Sequence, residues 1–189
     1  MGNTQENLQE AFAGESQANR RYLFFADKAE TEGHPEVARL FRATAEAETV
    51  HARNHLEVMG GIGATKDNLG AAISGEHYEF TKMYPDFIEQ AKAEGNEGAE
   101  ISFTYANKVE KIHHGLYQKA LEALNSAQKL KDEPYFVCQG CGYTVGSEAP
   151  EKCPICGAPR SKFKRGSSWE KGLRQKRLLG IYKKVWNLI

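Results

Sequence analysis

Two patterns in this chain set ligand-type side chains at short, fixed spacings. Glu48-x-x-His51 and Glu110-x-x-His113 each place a carboxylate three residues before an imidazole, and Glu76-x-x-Glu79 places two carboxylates at the same separation. On a helix, residues three apart share a face, so each pair aims two oxygen or nitrogen donors in one direction. The second pattern is sulfur: Cys138-x-x-Cys141 and Cys153-x-x-Cys156, separated by eleven residues. Each pair can wrap two thiolates around one tetrahedral metal, and Gly142 and Gly157 allow the tight turns that follow.

The first 134 residues must position the carboxylates and imidazoles. They are rich in Ala, Glu and Leu, with Pro35 and Pro85 the two prolines before Pro134, a composition that favours helix. The pattern predicts four helices. The first spans about Thr4 to Glu32, the second runs from Pro35 to Gly60-Gly61, the third from about Asn68 to Glu94 with a kink at Pro85, and the fourth from about Glu97 to Lys129. Apolar stripes at helical spacing include Leu8, Phe12 and Tyr22; Val37, Leu40 and Phe41; Ile73, Phe80 and Phe87; and Phe103, Tyr117 and Leu121. Each stripe is interrupted near its middle by Glu, or by Glu and His. An all-α four-helix bundle is expected, with Glu15, Glu48, His51, Glu76, Glu79, Glu110 and His113 facing one core. A core does not hold five bare carboxylates. Two divalent ions nearly cancel them, and oxygen-rich ligation with two imidazoles suits iron or manganese. A single Glu-x-x-His arises often by chance on exposed helices; four helices interrupted at matching depth do not. His34 and His114 read as surface residues, and His55 as a partner of the site rather than a ligand.

Charge divides the chain in two. Residues 1–134 carry 14 basic and 22 acidic side chains, and residues 135–189 carry 11 and 3, although the whole is neutral. All four cysteines lie in the second part. A boundary is therefore expected near Pro134, which cannot continue a helix. The neutral total argues against a nucleic-acid binder. No apolar run reaches the length of a membrane span, and the start MGNTQENLQEAF lacks the basic and apolar regions of a signal peptide. A cytoplasmic protein is expected, in which disulfides are rare and a four-thiolate iron or zinc site is the natural reading of the cysteines.

The stretch Ala13-Gly14-Glu15-Ser16-Gln17-Ala18, the pairs Glu48-Thr-Val-His51 and Glu110-Lys-Ile-His113, the run Gly75-Glu76-His77-Tyr78-Glu79 and the two cysteine knuckles together resemble the rubrerythrin family over residues 4–165. The resemblance implies a ferritin-like di-iron bundle over residues 1–134 and a rubredoxin-like β module over 135–165 holding one tetrathiolate iron. It further implies a non-haem peroxidase that reduces hydrogen peroxide to water, with electrons from a reductase or rubredoxin relayed through the cysteine-bound iron. By position, one iron would exchange Glu79 for His51 with redox state, and Tyr22 and Tyr84 would match tyrosines beside the site. The alternative is an iron-oxidising or iron-storage bundle, against which the cysteine module argues, since storage needs no electron relay.

Helical rise puts Glu110 roughly 30 Å from the expected end of the fourth helix. A short linker would then not return the cysteine module to its own site. A head-to-tail homodimer is expected instead, helped by the opposed charges of the two regions.

Residues 166–189 depart from the family. After Gly166-Ser167-Ser168 comes a segment with six basic and one acidic residue, in which Trp169, Leu173, Leu178, Leu179, Tyr182, Val185, Trp186 and Ile189 approximate one helical face. It reads as a C-terminal basic amphipathic helix, favoured as a fusion peptide. A natural extension, a target helix for an EF-hand protein (with the rest of the chain as its carrier), and a peripheral membrane contact are the other readings.

Overall fold

The computed structural model describes residues 2–166. Four helical stretches precede a small strand module, the fold class expected from the sequence. The expected C-terminal helix lies outside the described residues. The chain forms two compact units, one over residues 1–68 and one from Leu69 onward.

The first unit is a helical hairpin of α1 (Thr4–Thr31) and α2 (Pro35–Val58). Asn3 caps α1 reciprocally: its side chain accepts from Glu6 N at 3.0 Å, and Glu6 accepts from Asn3 N at 2.9 Å. Pro35 opens α2, where its missing N–H costs nothing. Alanines line the seam between the helices. Ala26, Ala29 and Ala38 are buried together against Phe41, and Ala45 and Ala52 continue the line. Small side chains let the two backbones approach closely, so the expected stripe is corrected here. Phe41 packs on the seam, whereas Val37 and Leu40 point away and are exposed. Asn19 ties the hairpin at the depth of the ligands, donating to Ala45 O at 2.7 Å and Thr49 Oγ1 at 2.8 Å.

The second unit contains α3 (Thr65–Tyr78), a π-helical segment (Glu79–Met83), α4 (Tyr84–Ala93) and α5 (Glu97–Asn125). The expected third helix is therefore interrupted, and the interruption is not a kink at Pro85. Proline cannot donate to the helical ladder, and its ring crowds the carbonyl four residues back. The helix widens before it instead: Tyr84 N–H reaches five residues back to Glu79 O. Pro85 then sits in the first turn of α4.

Helix α5 stops at Asn125, four residues short of expectation. Ala127 adopts a left-handed conformation (φ 54°), and Gln128 N–H closes on Ala123 O at 2.9 Å. An alanine there carries no sequence mark of a helix end. Replacing Ala127 with glycine removes the Cβ strain and is expected to stabilise the fold by up to about 1 kcal/mol, read as a raised Tm in thermal unfolding.

The module is a three-stranded antiparallel sheet ordered β2-β1-β3, from β1 (Tyr135–Cys138), β2 (Thr144–Gly146) and β3 (Phe163–Arg165). Phe136 pairs with Val145 on one side and Arg165 on the other. Strand β2 lies against α5, with Gly142 beside the buried Val109. The module thus lies against its own ligand-bearing helix, contrary to the expected separation. His113 is only roughly 18 Å along α5 from Asn125, and the linker 126–134, spanning up to about 30 Å when extended, returns the module to its own helix. Among the described residues no helix is long and apolar enough to cross a membrane.

Candidate metal centres

In the first hairpin α1 supplies Glu15, and α2 supplies Glu48 and His51. One donor atom from each lies within 4.8 Å of the others. His51 Nδ1 is 2.9 Å from Glu48 Oε2 and 3.8 Å from Glu15 Oε1. In the second unit α3 supplies Glu76, and α5 supplies Glu110 and His113, again within 4.8 Å. His113 Nδ1 lies 2.7 Å from Glu110 Oε2 and 3.9 Å from Glu76 Oε1. The two sets are near copies, and their surroundings match as well. Tyr22, Phe25 and Phe41 form one aromatic trio, and Tyr84, Phe87 and Phe103 form the other. The spacings Phe41–Glu48–His51 and Phe103–Glu110–His113 are identical, and Gly14-Glu15 corresponds to Gly75-Glu76. This internal repeat was readable from residue spacing alone, yet ligand-by-ligand reading passes over it.

Electrostatics bear out the cost of these groups without a cation. Burial, then the adjacent Glu110 carboxylate, pushes Glu76 up to about 7. Its Oε2 is buried with no hydrogen-bond partner among the described residues. Burial is the largest single effect on Glu110 and disfavours its charge, but hydrogen bonds from His113 and Glu76 and the His113 charge together outweigh it and hold Glu110 below its usual range. The hydrogen bond to Glu110 raises His113. A cation between Nδ1 and the carboxylates would satisfy the orphaned oxygen and displace the proton, so these residues fit a metal. Glu79, at the start of the π-helical segment, stands outside the triad. Burial, then the Glu110 charge, raises it. Tyr84 is raised by burial and by Glu110, Glu79 and Glu76, while Tyr22 packs on Phe25 and Phe41. Among the described residues neither hydroxyl has a hydrogen-bond partner. His34 is exposed as expected, His55 is half-buried outside the triad, and His114 is half-buried against His77 and Phe80 rather than on the surface.

The sulfur site is built from two matching turns. Cys138 N donates to Tyr143 O at 2.9 Å, and Gly142 N to Cys138 O at 2.9 Å. Cys153 N donates to Ala158 O at 2.7 Å, and Gly157 N to Cys153 O at 2.9 Å. Gly142 (φ 85°) and Gly157 (φ 78°) take the left-handed backbone these turns need. Cys138 and Cys156 Sγ are 3.6 Å apart, as are those of Cys141 and Cys153. A tetrahedron with metal–sulfur bonds of about 2.3 Å has edges of about 3.7 Å, so the four sulfurs are set for one ion. Burial pushes the Cys141 thiol up strongly. Burial also opposes ionisation of Cys153, but the backbone N–H groups of Cys156 and Ile155 prevail and bring it down to about 7. Four thiols so close do not all ionise without a cation.

Comparison with known families matches residues 6–121 to the rubrerythrin model and residues 136–164 to the rubrerythrin rubredoxin-like domain. The chain belongs to the rubrerythrin family. It is 37% identical to rubrerythrin-2 of Clostridium acetobutylicum over 174 residues, covering 85% of this chain and 95% of that one. Nigerythrin of Nitratidesulfovibrio vulgaris is 37% identical over 177 residues, covering 86% of each. A solved structure of partially reduced nigerythrin superposes with a TM-score of 0.52 at 35% identity, over 88% of both chains. The rubrerythrin domain carries a di-iron site, and the rubredoxin-like module carries iron at its four cysteines.

One contact joins the two kinds of site. His113 Nε2 lies 2.9 Å from Thr144 Oγ1, on the strand that follows the first cysteine turn. No feature of the sequence around Thr144 marks it, because the contact depends on the return of the linker.

Proposed function

We propose that this rubrerythrin is a peroxidase that reduces hydrogen peroxide to two waters, taking up two electrons and two protons. Iron would supply the reducing equivalents when bound: Glu15, Glu48 and His51 would hold it in the first unit, and Glu76, Glu79, Glu110 and His113 in the second. Cys138, Cys141, Cys153 and Cys156 hold the iron through which an external reductase or rubredoxin restores those equivalents. The observation that carries this reading is the presence, in one chain, of a four-sulfur site whose module is hydrogen-bonded to the helix bearing Glu110 and His113. Iron storage has no use for that arrangement.

The side chains divide the work. Glu79, raised by burial and by Glu110, retains a proton closer to neutral pH than a free carboxylate and is the proposed proton donor. Tyr84, beside the same carboxylates, donates to bound peroxide or to a ligand oxygen; Tyr22 has the matching role in the other half. His51, with its side chain 53% exposed, would be the more accessible of the two histidine ligands. The cytoplasm, where thiols stay reduced, is the proposed location.

The test is anaerobic. Metal content of the purified chain is measured, and peroxide is then added to the reduced form. Iron at both sites with rapid stoichiometric oxidation is the expected result. Zinc at the cysteines together with no reaction would favour an iron-storage bundle.

A further inference from the structure

The two ligand sets match closely, but their histidines differ on the side away from the carboxylates. His51 Nε2 has no hydrogen-bond partner among the described residues. His113, only 26% exposed, places Nε2 at 2.9 Å from Thr144 Oγ1. The Thr144 hydroxyl has one proton, and it points to Gly142 O at 3.0 Å. Toward His113 it therefore accepts. Nε2 carries the proton, and Nδ1 is the nitrogen left to face Glu110 and Glu76. Gly142 lies beside Val109, one turn before His113 on α5, and β2 packs on the same helix, so the accepting hydroxyl is held on a seated module.

We propose that Thr144 is a positioning residue for the carboxylate–histidine site: its hydroxyl fixes the tautomer and ring orientation of His113 and fastens the four-cysteine module to the helix carrying that ligand. Such outer partners orient a metal-bound imidazole and raise its basicity. The inference rests on the reading that Glu76, Glu110 and His113 hold metal. It gives the two halves different tasks, with His113 fixed and His51 free.

Zinc(II)-loaded full-length chain with nitrogen-15 histidine distinguishes the outcomes by NMR and by zinc titration. Thr144→Val keeps the branched shape favoured in a strand and removes the hydroxyl; Thr144→Ser keeps the hydroxyl. In wild type and Thr144→Ser the His113 Nε2 proton is expected to exchange slowly, with Nδ1 metal-bound and the His51 Nε2 proton exchanging fast. In Thr144→Val the slow proton disappears, and zinc affinity at the carboxylate site falls about tenfold while that at the cysteines is unchanged. A protected proton and unaltered affinity in Thr144→Val overturn the proposal, as does a Thr144→Ser protein no better than Thr144→Val. Failure of wild type to bind zinc at the carboxylates overturns the underlying metal reading and the Thr144 proposal with it.

Discussion

Glu76→Gln is expected to make the metal-free protein more stable at pH 8 and to cripple its binding of iron. The wild-type side chain is half-buried with one carboxyl oxygen buried and unpartnered among the described residues, and its pKa rises from 4.5 to about 7 in the fold. A group raised on folding binds more protons in the native state, so its favourable contribution is complete below its unfolded value and is lost as pH climbs through the folded one. The wild-type metal-free protein should lose stability between about pH 5 and pH 8 on this account, and the glutamine variant should lack that component. Denaturant unfolding of chelator-treated protein at several pH values measures the difference. A gap between variant and wild type that does not change with pH would refute it. With iron present the order reverses. Metal stabilises the state that binds it, and Glu76 supplies one of three donors in its half-site, so the affinity loss should exceed the roughly 10–100-fold typical of an outer partner.

Cys153→Ser should abolish multiple turnover with peroxide and an external donor while sparing a single oxidation of a prereduced bundle. Cys153 and Cys141 form one edge of the sulfur tetrahedron, and Cys153 is the thiol brought down to about 7 by backbone N–H groups. A hydroxyl neither ionises there nor matches the softness of sulfur, so the four-cysteine site should lose its iron and its visible absorbance. The carboxylate–histidine ligands are untouched by the change. Stopped-flow mixing of the reduced variant with one equivalent of peroxide reads the single event, and steady-state assay with a donor reads the relay. Survival of turnover at the wild-type rate would remove the module from the electron path.

Much of this protein was legible in its sequence because its chemistry is periodic. Glu-x-x-His at two places and Cys-x-x-Cys at two others bring their donors together through local geometry, which a helix turn or a tight turn enforces almost alone. What escaped was set by non-local contact. The apolar reading of α2 favoured Val37 and Leu40, but helices that meet closely choose alanine, so Ala38, Ala45 and Ala52 form the seam. The end of α5 escaped because a left-handed Ala127 replaces the usual glycine. The shorter helix brings its end only about 6 Å nearer to His113; the return of the linker 126–134 is a non-local contact that spacing does not show, and Thr144 is unmarked for the same reason.

The widened turn at Glu79–Met83 has a consequence for ancestry. Glu15 and Tyr22 are seven residues apart, whereas Glu76 and Tyr84 are eight, although each tyrosine is followed three residues later by its phenylalanine. Duplication of one hairpin, followed by gain of a single residue in the second copy, leaves this pattern. A π turn absorbs such an insertion without turning the rest of the helix out of register. Three residues past the shared glutamate, the first hairpin has Ala18 and the second has Glu79. The two hairpins thus form an unequal pair, in which one has a carboxylate without counterpart in the other.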